Sequence, residues 1–483
     1  MIPILSTKEI KEAEKSAIEK VGEEALINRA SSALVLRCLS LTLNSFVIFA
    51  GSGNNGSDAL FLAEKLLEAK KKVSVYASAE SKNIYNLSAR KRLAGKGIKL
   101  KQFDEVDINE LKEADCVIDG ILGIGLNRPL EGLYKTIVEL INEHSKYTLA
   151  VDICSGLDSD SGSASIAVKA NETITFSALK PGQFLGEGKN YSGKVILEDI
   201  GIEIGITQTN LLEEKDVLIP SRPRASHKGN YGAVRIIAGS PEMMGASLLA
   251  HESALSALRS GAGYAVLCVP KTLASIYMGR VKEEMLYFLP DDGGKILFNE
   301  SALSACLSAS SIVVGPGLGR NKEILKIIGY FSNNYSGTLI IDADGLNVLS
   351  ENLSVIDGHK CKLILTPHVG EFKRLSANLA PTIENAKALA LKTGSVVVLK
   401  SSSTIITDGK ITAINITGGP ELAKGGSGDV LSGMIGAFSS RFDPFGAACR
   451  ACWYFGKAGE KAAERMGENS VLASDICGII REE

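Results

Sequence analysis

Short apolar runs that end in glycine-rich turns and lead into amphipathic helical segments recur along the chain, and this alternation constrains the fold more than any other feature. The run SFVIFA at 45–50 ends in the turn GSGNNGSD, and a predicted helix from Ser57 to Ala69 follows it. Strands that alternate with helices form a mostly parallel sheet with helices on both faces. Ligands of such sheets bind beyond the carboxyl ends of the strands. The sequence therefore predicts an α/β protein whose sites lie in its glycine- and aspartate-bearing turns.

The pattern breaks once, and the break predicts two domains. The stretch 205–226 has few strand cues and contains two prolines that flank arginine. A chain of 483 residues is also longer than one ordinary domain. We therefore predict two three-layer domains, 1–211 and 212–483. The strands expected are 45–50, 73–77, 115–120, 147–153 and 173–176 in the first, and 233–239, 264–269, 311–319, 338–347, 362–368, 395–400, 404–407 and 411–414 in the second.

The composition excludes several function classes. Lys and Arg total 53 against 55 Asp and Glu, and this near-neutral balance argues against a nucleic-acid binder. No apolar run approaches the roughly 18 residues of a membrane span, and the start MIPILSTKEIKEAEK becomes charged too early for a secretory signal. The nine cysteines lie mostly in apolar segments, which is typical of buried thiols in a reducing compartment. We expect a cytoplasmic protein that binds neither nucleic acid nor membrane.

Three strand ends of the first domain carry polar residues beside glycine. The turn at 51–58 has the glycine spacing of a dinucleotide fingerprint, yet two asparagines and an aspartate stand where that fingerprint needs little besides glycine. Such a turn can offer N–H groups to phosphate and side-chain oxygens to a hard cation, although a tight turn without a ligand is the alternative. DGILGIGLNR (119–128) and VDICSGLDSDSG (151–162) end neighbouring strands. Their convergence at one sheet edge favours a ligand site.

The strongest motif of the chain is KGGSGDVLSGMIGAF at 424–438. Its glycines allow close backbone approach, and the helix that follows would direct free N–H groups at a phosphate. Asp429 lies at that helix terminus, where it could orient or deprotonate a hydroxyl that attacks phosphorus. The structural alternative is a helix-capping aspartate. No GxxxxGK[ST] sequence occurs, so this is not a P-loop protein.

Other strand ends of the second domain also suit ligands. His368 follows a strand in TPHVGE, and DADGLN (342–347) offers two carboxylates and an amide. KSSST (400–404) supplies a lysine and four hydroxyls for a nucleotide phosphate or ribose, although a polar turn between strands has the same composition. GPGLG (315–319) suits backbone contact with a ligand.

Together these residues resemble the bifunctional NAD(P)H-hydrate repair enzymes. The first half carries the resemblance in GSGNNGSD, DGILGIGL and VDICSGLDSDSG; the second carries it in RPRASHKGNYG, GAS, GPGLG, DADGLN, TPHVGE, KSSST and GGSGDVLSG, in the family's order. The resemblance implies a Rossmann-like epimerase domain, 1–211, and a ribokinase-like, ADP-dependent dehydratase domain, 212–483. Such an enzyme interconverts the R and S forms of NADH-hydrate and NADPH-hydrate, and dehydrates the S form to NAD(P)H at the expense of ADP.

The resemblance implies roles for individual residues. Asp152 and Asp429 would be catalytic. The residues expected to bind the hydrate in the first domain are Asn54, Asn55, Gly56, Ser57, Asp58, Gly123, Ile124, Gly125, Leu126, Asn127, Arg128, Pro129 and Asp152. Those expected to bind it in the second domain are Ala246, Gly317, His368 and Asp429. The adenine nucleotide, with Mg²⁺, would be held by Lys400, Ser401, Ser402, Ser403, Thr404 and Gly428. A potassium ion would be held by Asn55, Asp119 and Ser155.

The first loop departs from the family's pattern. The family usually has NNGGDG, whereas here Ser57 and Ala59 replace two glycines; Ile124 and Cys154 replace a usual threonine and proline. Extra Cβ atoms narrow the close approach to phosphate that glycine permits. We therefore expect the epimerase to be active but slow.

The residues leave two alternatives open. The glycine-helix motif also suits a small-molecule kinase of the ribokinase-like class, fused to a non-catalytic nucleotide-binding first domain. In the other alternative, the first domain only binds nucleotides and assists assembly. TPHVGE together with RPRASHKGNYG favours the dehydratase. The residues do not decide ADP against ATP, or NADH-hydrate against NADPH-hydrate; the resemblance favours ADP, and we expect a homo-oligomer.

Overall fold

The computed structural model describes residues 1–126 and 128–480, and the chain divides into two compact units, Ile2–Thr207 and the part from Gln208 onward. This division lies four residues before the predicted boundary at 211/212 because the strand Thr209–Leu211 belongs to the second unit. It pairs in parallel with Thr412–Asn415, so that Leu211 faces Ile414. A three-residue strand is too short to produce a recognisable pattern. In the part of the chain that the structure describes, no helix is long and apolar enough to cross a bilayer.

The first unit contains a parallel sheet. A two-residue extended segment, Ile2–Pro3, comes first in the chain. The strands of the sheet are β1 Ser45–Ala50, β2 Lys72–Ala77, β3 Leu100–Gln102, β4 Cys116–Gly120, β5 Thr148–Val151, β6 Glu172–Phe176 and β7 Lys194–Glu198. Their order is β3-β2-β1-β4-β5-β6-β7, and every neighbouring pair is parallel. This is the doubly wound order of Rossmann-like folds with one more strand, and the order reverses between β1 and β4.

Helices cover both faces of this sheet. They are α1 Thr7–Val21, α2 Glu23–Ser40, α3 Asn54–Glu68, α4 Ile84–Gly95, α5 Ile108–Glu113, α6 Gly132–His144 and α7 Gly188–Tyr191. Successive residues of β1 face opposite layers, as the strand period requires. Phe46 and Ile48 join a core with α2, α3 and α4, whereas Val47 and Phe49 join one with α5 and α6.

The second unit contains a larger, mixed sheet. Its strands are β8 Thr209–Leu211, β9 Ala233–Ile237, β10 Tyr264–Pro270, β11 Met285–Leu289, β14 Ser311–Val314, β15 Thr338–Ile341, β16 Lys362–Leu365, β17 Val396–Leu399, β18 Thr404–Thr407 and β19 Thr412–Asn415, with a separate hairpin of β12 Asp291–Asp292 and β13 Lys295–Ile296. Within this unit the order is β8-β19-β18-β17-β16-β15-β14-β9-β10-β11. Along this order, all neighbouring strands between β17 and β11 are parallel. Strand β18 runs antiparallel to both of its neighbours, β17 and β19.

Helices again lie on both sides of the strands. They are α8 Met244–Arg259, α9 Ala274–Met278, α10 Glu300–Ser304, α11 Glu323–Asn334, α12 Ala343–Leu349, α13 Val369–Leu375, α14 Ile383–Thr393, α15 Ser427–Phe438, α16 Pro444–Met466 and α17 Ala473–Ile479. The Ile340 side chain joins the core of α8, α15, α16 and α17, and its neighbours Leu339 and Ile341 are fully buried on the other face. The predicted α/β class is confirmed, and the nine cysteines are free and buried, as expected.

Candidate active sites

A cavity of about 940 Å³ opens in the first unit beyond the carboxyl ends of β1, β4 and β5. This is where the strand order reverses, the position at which doubly wound sheets bind their ligands. Most residues predicted to bind the hydrate line it: Asn54, Asn55, Asp58, Gly123, Ile124, Gly125, Leu126, Arg128, Pro129 and Asp152. Asn127 lies outside the described residues. The two turns and Asp152, far apart in sequence, therefore form one site.

Gly56 and Ser57, which were also predicted to bind the hydrate, are not among the residues that line this cavity. Helix α3 begins at Asn54, so both residues lie in its first turns against the sheet. A Cβ added at Gly56 would lie 2.0 Å from the Gly51 carbonyl oxygen, which explains the glycine. The Ser57 Oγ lies 3.2 Å from the Gly53 carbonyl oxygen and 3.3 Å from Asn83 Oδ1.

Ser57 and Ala59 lie away from the lining of the cavity. Both side chains are fully buried, and neither lines the cavity. Ala59 packs on the sheet, where a Cβ added at Gly120 would lie 2.4 Å from the Ala59 Cβ. Serine and alanine at these positions fill the contact between helix α3 and the sheet.

The three predicted potassium ligands are linked to one another. Ser155 Oγ donates to Asp119 Oδ1 at 2.6 Å, and the Ser155 N–H donates to Asp119 Oδ2 at 2.8 Å. Asn55 joins them through Leu122, whose carbonyl accepts from Asn55 Nδ2 at 2.8 Å and whose N–H donates to Ser155 Oγ at 2.9 Å. Burial raises the pKa of Asp119 to about 6, although the Ser155 hydrogen bonds oppose the shift. A buried set of oxygens with one carboxylate fits a hard cation.

Asp152 follows β5 in a strained conformation. Its φ of +64° lies in the left-handed region, which few non-glycine residues adopt and which is common at functional sites. One carboxylate oxygen, Oδ1, accepts from Lys180 Nζ and, at 3.2 Å, from the Phe176 N–H. The Gln183 amide holds the Asp152 carbonyl at 3.0 Å. The sequence analysis did not predict Lys180 as a site residue. Nothing marks it in the sequence except its position shortly after β6.

The helix α1 contributes a wall of the cavity that the sequence analysis also missed. Lys11, Glu14 and Ile18 line the cavity from this helix. The helix begins with a capping box, in which the Ser6 N–H donates to Glu9 Oε2 at 2.8 Å. This S-T-K-E signature could have predicted the helix but not its partner in the fold. Burial, with the Asp152 charge second, raises the pKa of Glu14 to about 7 and the pKa of Asp58 well above its usual value.

In the second unit, the glycine motif starts helix α15 as predicted. Gly426 is the N-cap residue, with φ of +91°, and Asp429 lies in the first turn. Burial, followed by the charge of Asp342, raises the pKa of Asp429 to about 7. A Cβ added at Gly428 would lie 3.4 Å from Lys400 Nζ and 3.8 Å from Asp342 Oδ2. The beginning of the helix therefore lies directly against a lysine–aspartate pair.

That pair joins two strand ends. Lys400 Nζ donates to Asp342 Oδ1 at 2.9 Å, and Thr366 Oγ1 donates to the same oxygen at 2.7 Å. The Asp342 side chain is 1% exposed. Burial opposes the charge of Lys400, but Asp342 and Glu371 keep the pKa of Lys400 above its usual value. The polar turn after Lys400 connects β17 and β18, and within it Ser401 Oγ donates to the Ser403 carbonyl at 2.6 Å.

His368 lies beside this pair and caps a helix with one ring nitrogen. Its Nδ1 accepts from the Gly370 N–H at 2.9 Å and so caps α13. The imidazole is nevertheless 55% exposed, with Nε2 at 3.4 Å from Glu371 Oε1. The Lys400 N–H donates to the Pro367 carbonyl at 2.8 Å, which fixes the two strand ends side by side. His368, Lys400, Gly428 and Asp429 therefore meet at one edge of the sheet.

Ala246 and Gly317 form a second contact at the same edge. Gly317 has φ of +59°, and a Cβ added there would lie 2.8 Å from the Ala246 carbonyl carbon. Nearby, Asp344 Oδ2 accepts from the Gly319 N–H at 2.8 Å. The glycines of GPGLG thus permit close contact between the β14 turn and helix α8.

Two family models match the chain. One, described as NAD(P)H-hydrate dehydratase, matches residues 234–482, and the other, described as YjeF-related protein N-terminus, matches residues 23–182. A solved structure, the ADP/ATP-dependent NAD(P)H-hydrate dehydratase from Bacillus subtilis co-crystallised with ATP and Mg²⁺, is 29% identical to this chain. Its TM-score is 0.48, and the likeness covers 55% of this chain and 93% of that chain.

Curated relatives match over nearly the whole length. The chain is similar to the bifunctional NAD(P)H-hydrate repair enzyme Nnr of Thermofilum pendens, with 33% identity over 96% of this chain and 93% of that protein. It is also similar to the enzyme of the same name from Coxiella burnetii, with 31% identity over 99% of this chain and 98% of that protein. The chain belongs to the family of bifunctional NAD(P)H-hydrate repair enzymes.

Proposed function

We propose that the second unit dehydrates (S)-NAD(P)H-hydrate with ADP, that the first unit interconverts the R and S forms, and that Asp429 and Asp152 are the catalytic carboxylates. The observation that carries the dehydratase proposal is the position of Asp429. It lies in the first turn of α15, against the Lys400–Asp342 pair, with a pKa raised to about 7. A general base is most effective when its pKa is close to the working pH.

The dehydration begins with transfer of a phosphoryl group. The ring hydroxyl of the hydrate is a poor leaving group. Asp429 accepts the hydroxyl proton while the oxygen attacks the terminal phosphorus of ADP, and the bond from that phosphorus to AMP breaks. The electron pair of the ring nitrogen then expels phosphate, and loss of a proton from the adjacent ring carbon gives NAD(P)H. AMP and phosphate are the other products.

The residues around Asp429 suit the nucleotide. Lys400, Ser401 to Thr404 and Gly428 would hold it, with the N–H groups of α15 directed at the transferred phosphoryl group. The Lys400 ammonium has three donors, and its bond to Asp342 uses one of them. Asp342 and Asp429 provide carboxylate oxygens of the kind that Mg²⁺ accepts beside nucleotide phosphates. Mg²⁺ would neutralise charge on the phosphates.

The epimerisation needs no nucleotide. The hydroxyl leaves as water after it takes a proton, while the ring-nitrogen electron pair forms a C=N⁺ bond. Water then adds to the opposite face of the ring and returns a proton to the site, so that atoms and charge balance. Asp152 would transfer this proton to and from the ligand, because Asp152 lines the cavity at the end of β5. K⁺ held by Asn55, Asp119 and Ser155 would supply positive charge near the hydrate's phosphates.

The test is a set of reactions with chirally resolved NADH-hydrate and the full-length protein. With ADP and Mg²⁺ we expect consumption of the S form, and without nucleotide we expect R-to-S conversion faster than the spontaneous rate. Asp429→Asn should stop only the first reaction and Asp152→Ala only the second. Asp357→Asn, an exposed aspartate of the second unit, is the matched control. A protein that phosphorylates a pyrimidine or thiazole alcohol and ignores the hydrate would establish the kinase alternative.

A further inference from the structure

We propose that Lys180 is a positioning residue for the epimerisation: it keeps Asp152 ionised and fixes one carboxylate oxygen, so that the other is available to the ligand in the cavity. This inference rests on the proposed role of Asp152. It assigns a function to a lysine in the turn after β6, a part of the chain for which the sequence predicted no site residue.

The Lys180 ammonium is buried and fully engaged. Its side chain is 1% exposed. It donates to Asp152 Oδ1, to Thr175 Oγ1 at 2.7 Å and to the Ala178 carbonyl at 3.3 Å, which uses its three donors. A buried ammonium is costly unless it is paired with an anion. Lys180 therefore favours the ionised form of Asp152 and is itself kept charged by it.

The carboxylate of Asp152 is asymmetric as a result. Oδ1 also accepts from the Phe176 N–H at 3.2 Å and lies 3.3 Å from Thr175 Oγ1. Among residues 1–126 and 128–480, no donor to the second oxygen, Oδ2, is found. Because Asp152 lines the cavity, this oxygen is the one that can exchange a proton with a ligand. The Gln183 amide and the strained φ of +64° fix the backbone that carries it.

Other charged groups share the cavity with Asp152. Glu14 on α1 and Asp58 on α3 line the same cavity. The pKa of each is raised, with burial as the largest cause and the Asp152 charge as the second. The titratable and charged groups that face it are Lys11, Glu14, Glu23, Asp58, Arg128, Glu131, Tyr134 and Lys180. Of the cations, Lys180 alone has an ion pair with Asp152 within the described residues.

Removal of this cation should shift the pH dependence in a defined direction. If the ionised form of Asp152 is the active form, conversion is lost at acid pH. Lys180→Met removes the cation that pairs with Asp152, so the acid midpoint of conversion should move upward by about 1–3 pH units. On the acid side of the shifted midpoint, kcat should fall by about tenfold for each pH unit of the shift, because one pH unit corresponds to a tenfold change in the ratio of ionised to protonated carboxylate. KM should change little, since Lys180 does not line the cavity.

The experiment measures R-to-S conversion of NADH-hydrate by the full-length protein from acid to weakly alkaline pH, after subtraction of the spontaneous rate. The variants are Lys180→Met, Lys180→Arg and the matched control Lys65→Met. Lys65 also donates to a backbone carbonyl and a hydroxyl, at 3.0 Å and 2.6 Å, but it lies away from the cavity. We expect an upward shift for Lys180→Met, partial recovery for Lys180→Arg, and the wild-type midpoint for Lys65→Met.

The outcomes separate the two proposals. Absence of conversion above the spontaneous rate in the wild type overturns the proposed epimerase function. An active wild type with an unchanged acid midpoint in folded Lys180→Met overturns the role of Lys180. If circular dichroism shows that Lys180→Met is unfolded, Lys180→Gln takes its place, because it removes the cation but keeps a donor for Thr175 Oγ1 and the Ala178 carbonyl. An upward shift in that variant supports the role of Lys180, and an unchanged midpoint overturns it.

Discussion

The replacement of Asp429 by asparagine should stabilise the second unit while it stops dehydration. In the folded protein, burial and the Asp342 charge raise the pKa of Asp429 from 3.8 to about 7. Because the pKa of Asp429 is higher in the folded state than in the unfolded state, ionisation of Asp429 lowers the stability of the folded protein. This loss grows as the pH rises from about 4 to about 7 and is constant above that. Three pH units at 1.36 kcal/mol each give about 4 kcal/mol. Asparagine has the same shape and no charge, so the variant avoids this cost.

The expected gain is therefore roughly 2–4 kcal/mol above neutral pH and close to zero near pH 4. Dehydration of the S hydrate should fall by about 10²–10⁴-fold, because the proton acceptor is lost. Nucleotide binding should persist, since Lys400 and the turn after it are unchanged. Stability and activity then change in opposite directions.

The assay is urea denaturation followed by tryptophan fluorescence at acid and weakly alkaline pH. The chain has one tryptophan, and Trp453 lies on α16 against the core of the second unit, so its fluorescence reports that unit. Asp357→Asn, at an exposed position, should leave the transition unchanged at both pH values. Equal stability of Asp429→Asn and wild type at weakly alkaline pH would refute the reasoning, because the carboxylate would then be ionised at no cost.

Three further predictions concern the first loop, the ion site and the boundary. Ser57→Gly with Ala59→Gly should lower the stability of the first unit by about 1 kcal/mol per glycine without a faster R-to-S conversion; a faster conversion would show that these side chains do restrict the ligand. Asp119→Asn should slow R-to-S conversion and remove its dependence on potassium, measured by titration with KCl against NaCl, and an unaltered potassium response would exclude the Asp119 site. A fragment from Gln208 onward should be soluble and dehydrate the S hydrate. A fragment from Leu212 onward lacks the edge strand β8 and should have a lower thermal midpoint of unfolding. Equal midpoints of the two fragments would show that β8 adds no stability.

The sequence alone determined the elements whose signals are local. The apolar run 45–50 coincides with β1, and the glycine motif at 424–438 led to the prediction of a buried helix, which is α15. Local signals suffice here because a buried parallel strand and a glycine-capped helix each need a characteristic residue pattern whatever their neighbours are. The family likewise followed from motifs. The domain boundaries, the residue roles, the potassium site and the homo-oligomer stay predictions.

The tertiary structure decided which residues of distant segments meet. Lys180 pairs with Asp152 across 28 positions of sequence, and Lys400 pairs with Asp342 across 58, although neither lysine has a local pattern that names its partner. Glu14 belongs to the cavity only because α1 packs beside it. Ser57 lies in the helix–sheet contact for the same reason, since its loop is already the first turn of α3 and the packing of that helix places the side chain against the sheet. Periodicity defines the face of a helix that is buried, whereas the strand order and the packing define the groups that it meets.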